Sequence, residues 1–154
     1  MKLARILAAG VVAGALALPV AAQMTVEDQI EVRQATYQFI SWNMGKIKAQ
    51  AVDGSVPFDA RQMMAAANAI AAAANSGMGA LYSPESALDK ADNTRLKPEF
   101  FAQPEKAREV GGNFVREANK LKEVAATSDQ QALAQQFAKV GQTCKACHDD
   151  FRAK

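Results

Sequence analysis

The stretch FAKVGQTCKACHDDFR, residues 137–152, carries two readings at once. Phe137, Val140, Cys144, Cys147 and Phe151 recur at three- and four-residue steps, the period of one helix face, and His148 lies beside Cys147 on the same stripe. Within that stripe, Cys144-Lys145-Ala146-Cys147-His148 holds both cysteines and the single histidine of the chain. A C-x-x-C-H run is the attachment pattern of c-type haem: each thiol adds across one vinyl group of the porphyrin, and the adjacent imidazole reaches the iron. Cysteine and histidine are scarce, so the pattern arises by chance in about one chain in a thousand of this length. Other uses of these residues fit poorly. A Cys144–Cys147 disulfide would close a very small loop inside a helix. A thioredoxin-like pair needs a βαβ setting and a helix N-terminus. Structural zinc usually takes four ligands, and this chain has three Cys and His residues in all.

Working back from that segment, the chain reads as helices throughout, with no alternating β-branched runs to suggest strands. The last helix is expected to begin at Ser128, with Gln131 completing an S-x-x-Q cap. Arg152 and Lys154 suit its negative C-terminal end. A helix from about 104 to 126 presents Val110, Phe114, Ala118 and Leu121 on one face. Its Gly111-Gly112 pair costs helix stability and leaves room for a backbone or a porphyrin to approach. Residues 76 to about 103, with Pro84 and Pro98, form the longest irregular stretch, for which a purpose or some short helix of its own is expected. An alanine-rich helix is expected from about 57, with Pro57 at its entry, to about 75, where Ser76-Gly77 stops it. The first helix starts at Thr25 as N-cap, with Asp28 three residues on in a loose capping box, and runs to Asp53-Gly54-Ser55. Its apolar stripe is Ile30, Tyr37, Ile40, Met44 and Ile47. Four amphipathic helices with mostly short connections predict an all-α antiparallel four-helix bundle with covalently attached haem.

Residues 1–22 read as a secretory signal peptide. Lys2 and Arg5 are followed by an apolar run over 6–18 and by Val20-Ala21-Ala22, which makes Gln23 the expected first residue of the mature domain, 23–154. The apolar run is short for a membrane anchor. Haem is attached to bacterial c-type cytochromes outside the cytoplasm, so the motif and the leader both point to the periplasm, with no membrane association after cleavage. The leader holds two of the 18 basic residues and none of the 16 acidic ones, so the mature chain is formally neutral. That balance speaks against nucleic-acid binding. About 130 mature residues suffice for one domain with one core.

Several further segments match a known family. These are Arg33-Gln34 and Gly45 in the first helix, Val56-Pro57-Phe58-Asp59-Ala60 before the second, Lys97-Pro98-Glu99-Phe100-Phe101 before the third, and residues 144–152 in the last. With them the chain resembles the cytochromes c′, the class II c-type cytochromes, over most of its mature length. Phe101 stands where that family often has tryptophan, and residues 76–96 do not align with it. The resemblance implies one covalent haem c per chain, held by Cys144 and Cys147, with His148 as the metal's proximal ligand. It implies that Arg33 and Gln34 contact haem propionates and that Arg152 lies near the proximal pocket. It places Tyr37 at the open side of the iron. Low-spin relatives carry methionine at that position and close the site; some members carry tyrosine and leave the iron five-coordinate and high-spin.

The function expected on this basis is a periplasmic protein, not an enzyme, that binds NO or CO, exchanges single electrons with an unidentified redox partner, and forms a homodimer through its first two helices. The alanine-rich face over 65–74 would suit close packing in such a dimer. The rival is a low-spin, six-coordinate electron carrier. Met44, two turns past Tyr37 and about 10 Å along the axis, is badly spaced to be its ligand. A peroxidase would want a distal histidine, and the only one is already used. A thiol oxidoreductase would need free, activated cysteines.

Overall fold

The computed structural model describes residues 24–154. The leader expected over 1–22, its cleavage site and Gln23 lie outside the described residues. Five α-helices follow in order: α1 (Val26–Ile47), α2 (Ala60–Ala74), the single turn α3 (Glu99–Ala102), α4 (Pro104–Ala125) and α5 (Gln130–Phe151). Among the described residues there is no strand, only one isolated bridge between Leu96 and Arg152. No described helix is long and apolar enough to cross a membrane.

The helix starts are set by side-chain caps. Thr25 accepts the Asp28 amide at 3.1 Å, and Asp28 accepts the Thr25 amide at 3.2 Å, closing the expected box at the head of α1. At α2 the cap is Asp59, which takes the Arg61 and Gln62 amides at 2.9 and 3.2 Å. Pro57 therefore lies outside the helix rather than in its first turn. At α5 the cap is Asp129, bonded to the Ala132 amide at 2.9 Å. Ser128 does not cap, because its φ of 58° turns the chain sharply between α4 and α5. Pro104 is the first residue of α4, where the missing N–H costs nothing.

After Ile47 the first helix widens into a π-helical segment, Lys48–Val52. Buried Gln50 explains how this irregular turn is held. Its amide oxygen accepts the Asp59 N–H at 2.9 Å, and its amide nitrogen donates to Gln62 Oε1 at 3.0 Å. Gln130, in the first turn of α5, donates to the Gln50 carbonyl at 3.2 Å.

In the bundle, α1 packs on α2, α2 on α4 and α4 on α5, while α1 and α5 barely touch. The solid core fills one end, around Ile40, Ile47, Met63, Ile70, Leu121, Leu133 and Val140. The alanine face of α2 points into this core: Ala66, Ala67, Ala71 and Ala74 are buried. These four serve close packing within the chain, while Ala65 and Ala72 of the same run are exposed. The other end, where the first half of α1 meets the last turns of α5, is open as a cavity.

The irregular stretch between α2 and α4 contains two 3₁₀ turns, Met78–Leu81 and Pro84–Ser86, besides α3. It is tied to the end of α5. The Lys97 amide donates to the Phe151 carbonyl at 2.9 Å, the Ala153 amide to the Arg95 carbonyl at 2.8 Å, and Lys97 Nζ to the Asp150 carbonyl at 3.1 Å.

Candidate functional site

The cavity between α1, α4, α5 and the segment 82–96 has a volume of about 690 Å³, within the range of cofactor pockets. All seven residues singled out from the sequence line it: Arg33, Gln34 and Tyr37 from α1, and Cys144, Cys147, His148 and Arg152 from α5 and its cap. They meet there because the helical period puts 33, 34 and 37 on one side of α1, and 144, 147 and 148 on one side of α5.

Both thiols are half-buried and not joined to each other. Burial pushes the Cys144 and Cys147 thiols up from their ordinary range, and Cys147 is raised further by Cys144 and Asp150. Neither resembles the activated thiolate that a redox-exchange enzyme needs. Arg152 closes α5 by donating its amide to the His148 carbonyl at 3.2 Å.

Arg33 holds an unforeseen position. Its side chain is only 5% exposed. Nη1 donates to the Leu81 carbonyl at 2.7 Å and to Ser86 Oγ at 3.0 Å, and Nη2 donates to Thr94 Oγ1 at 3.1 Å. Among the described residues no carboxylate pairs with it. Burial lowers the affinity of the guanidinium for its proton, although a guanidinium stays charged in practice. Two of its five N–H groups are left for a further acceptor. Gln34 donates to the Asn93 carbonyl at 2.5 Å. The two residues therefore pin the segment 81–94 against α1.

Tyr37 meets a residue that the sequence reading missed. Its hydroxyl lies 3.0 Å from that of Tyr82. Burial raises the Tyr37 phenol by more than the Tyr82 hydrogen bond lowers it. The Tyr82 phenol is raised strongly, first by burial and then by Tyr37. Both are protonated at neutral pH. Tyr82, Thr94 and Arg95 all line the cavity and all come from the unaligned stretch, where no periodicity marked them.

The residues fit haem c. Two thiols and an imidazole share one wall. Ile40, Val110, Phe114 and Phe151 supply apolar surface for a ring. Among the described residues the charges in the lining are Arg33, Arg95 and Arg152, all positive, which suits two propionates. Gly111 and Gly141 also face the cavity, and a Cβ at either would meet nothing within 4 Å. The Gly111-Gly112 pair thus admits no neighbouring backbone; Gly111 leaves the cavity wide.

Comparison with known proteins agrees. The family model described as cytochrome c′ matches residues 28–152. A cytochrome c′ from Allochromatium vinosum is 50% identical over 149 residues, which cover 96% of this chain and 95% of that one. A crystallographic cytochrome c′ with ligand-controlled dimer dissociation is 50% identical, with a TM-score of 0.80 over 86% of this chain and all of that one. Two variants of an Alcaligenes xylosoxidans cytochrome c′, one solved with carbon monoxide and one with nitric oxide, are each 25% identical. Both have a TM-score of 0.74 and cover 84% of this chain and 98% of theirs.

Proposed function

The chain belongs to the cytochrome c′ family, whose cofactor is covalent haem c, and from that premise we propose an exported periplasmic protein that takes up NO or CO at an open axial position and exchanges single electrons. When bound, haem c supplies a one-electron couple and a site for diatomic ligands. Cys144 and Cys147 would hold it through thioether bonds, and His148 would ligate the metal. Arg33 and Gln34, with Arg152 near the proximal pocket, supply donors for the propionates and the cofactor edge. The apolar walls exclude water from the ring.

The observation that carries the open-site reading is Tyr37. It is the α1 side chain at the family's distal position, it reaches the cavity, and burial keeps its phenol protonated. The chain has no second histidine to occupy an axial site or to act as a peroxidase acid–base group. Gas complexes of the Alcaligenes relative support the same reading. One absorption and resonance Raman series on the purified holoprotein tests it. The expected result is a high-spin, five-coordinate spectrum whose ferrous form binds CO. A low-spin ferric spectrum with a methionine–iron band, or a ferrous form indifferent to CO, would overturn it.

A second reading rests on Met44, which also lines the cavity. Its sulfur would make a low-spin electron carrier. Met44 lies two turns past Tyr37, however, about 10 Å along the helix axis, which spaces it badly for such a role.

Residues 1–22 are proposed as the cleaved signal and 23–154 as the haem domain. NO uptake would protect the cell against that gas: deleting the gene should raise NO sensitivity, and unchanged sensitivity counts against the role. A homodimer is proposed through the outer face of α1. Val32, Phe39 and Trp42 lie there at 41, 47 and 60% exposure, an unusual cluster for a solvated helix face. The ligand-controlled dimer of the 50% identical relative supports this assembly.

A further inference from the structure

We infer that Tyr82 is a specificity-determining residue of the cavity: it latches Tyr37 through their paired hydroxyls and so sets how readily a gas enters. The inference rests on the open-site reading above and adds a residue to it.

The two tyrosines differ in how firmly they are held. Tyr82 caps the 3₁₀ turn Met78–Leu81, and the carbonyl just before it, that of Leu81, is held by Arg33 Nη1 at 2.7 Å. The Arg33 guanidinium lies over the Tyr82 ring, 4.7 Å from its centroid. Phe100 stacks on the same ring at 4.7 Å and 18°, and meets buried Phe151 in a T-shaped contact at 5.3 Å. Tyr82 is therefore tied to α1 through Arg33 and to the end of α5 through Phe100. Tyr37 has none of these restraints. It lines the cavity with the residue 39% exposed, and among the described residues its side-chain hydrogen bond is the 3.0 Å contact to Tyr82.

A ligand that needs space beside Tyr37 must turn that ring, and turning it parts the two hydroxyls. Both phenols are protonated at neutral pH, so the bond is an ordinary neutral one. A pair of that strength slows entry by a modest factor rather than closing the site. Removing the Tyr82 hydroxyl while keeping its ring should speed CO association by about two- to tenfold. Tyr37→Phe should do at least as much.

The chain has two tyrosines, so each single variant leaves one phenol whose vibrational bands need no assignment. CO association is measured on the ferrous holoproteins of the unaltered chain, Tyr82→Phe, Tyr37→Phe and the double variant. Ultraviolet resonance Raman spectra of the same samples report the hydroxyls. The latch predicts faster association in Tyr82→Phe, no further gain from Tyr82→Phe in the Tyr37→Phe background, and Tyr37 bands in Tyr82→Phe that have lost their partner. Unchanged association in Tyr82→Phe overturns it, as does an acceleration that survives in the Tyr37→Phe background. An unaltered protein that ignores CO sinks the open-site reading and the latch together. One that takes up CO at the rate of Tyr82→Phe sinks the latch alone.

Discussion

Arg33 shows how one side chain can serve two ends. A buried guanidinium without a carboxylate is costly unless its donors are met. Here three neutral acceptors, Leu81 O, Ser86 Oγ and Thr94 Oγ1, meet part of the demand, and two N–H groups remain for a cofactor carboxylate. Arg33→Met should destabilise the holoprotein by about 2–3 kcal/mol in urea denaturation, since charged hydrogen bonds are lost and the loop acceptors are left bare. Arg33→Lys should recover only part of this, because an ammonium lacks the planar fork. The tyrosine pair makes a second prediction. Both folded-state phenols are raised above 10.0, the value they return to on unfolding. Their contribution to stability is thus fully present below pH 10.0 and is lost as pH rises through the folded values. The urea midpoint should be insensitive to these groups up to that pH and fall above it, with a shallower fall in Tyr82→Phe. The cysteines and His148 were legible as candidates from the C-x-x-C-H motif, and Tyr37 from its place on the apolar stripe of the first helix together with the family resemblance. Tyr82 was not, because its place depends on a loop whose course is set by contacts with α1 and α5.

At the scale of elements, helix existence was legible and two of the caps were not. Ser, Thr and Asp cap with similar energies, so a sequence offering Ser128 and Asp129 side by side does not choose between them. The choice falls to the turn: a φ of 58° places Ser128 in the turn itself and leaves Asp129 extended at the helix entrance, where it caps. Asp129→Ala should cost about 1 kcal/mol of unfolding free energy, while Ser128→Ala should stay within about 0.5 kcal/mol. Equal losses from both would reverse the assignment. The π-helical turn after Ile47 had no local signature. It persists because Gln50, Asp59, Gln62 and Gln130, distant in sequence, satisfy one another there.

For the molecule as a whole, the outer face of α1 bears on assembly. Phe39 and Trp42 lie side by side with ring centroids 6.1 Å apart, and Lys46 Nζ sits 3.3 Å from the Trp42 ring centroid. If this face is the dimer contact, the double change Phe39→Glu/Trp42→Glu should give a monomer in sedimentation equilibrium at concentrations where the unaltered holoprotein is dimeric. The haem spectrum should be unchanged, because neither residue lines the cavity. A variant that still sediments as a dimer would move the interface elsewhere.

Periodicity and one short motif were enough for the helical class, for the haem-attaching helix and for the residues that face inward, because helical spacing is a property of the chain alone. Which helix ends stay apart, so that a cavity opens between α1 and α5, was decided only on folding. So were the burial of Arg33, the inward turn of the α2 alanines and the meeting of Tyr37 with Tyr82. Each depends on contacts between segments far apart in sequence, and no local pattern encodes a contact whose other half lies dozens of residues away.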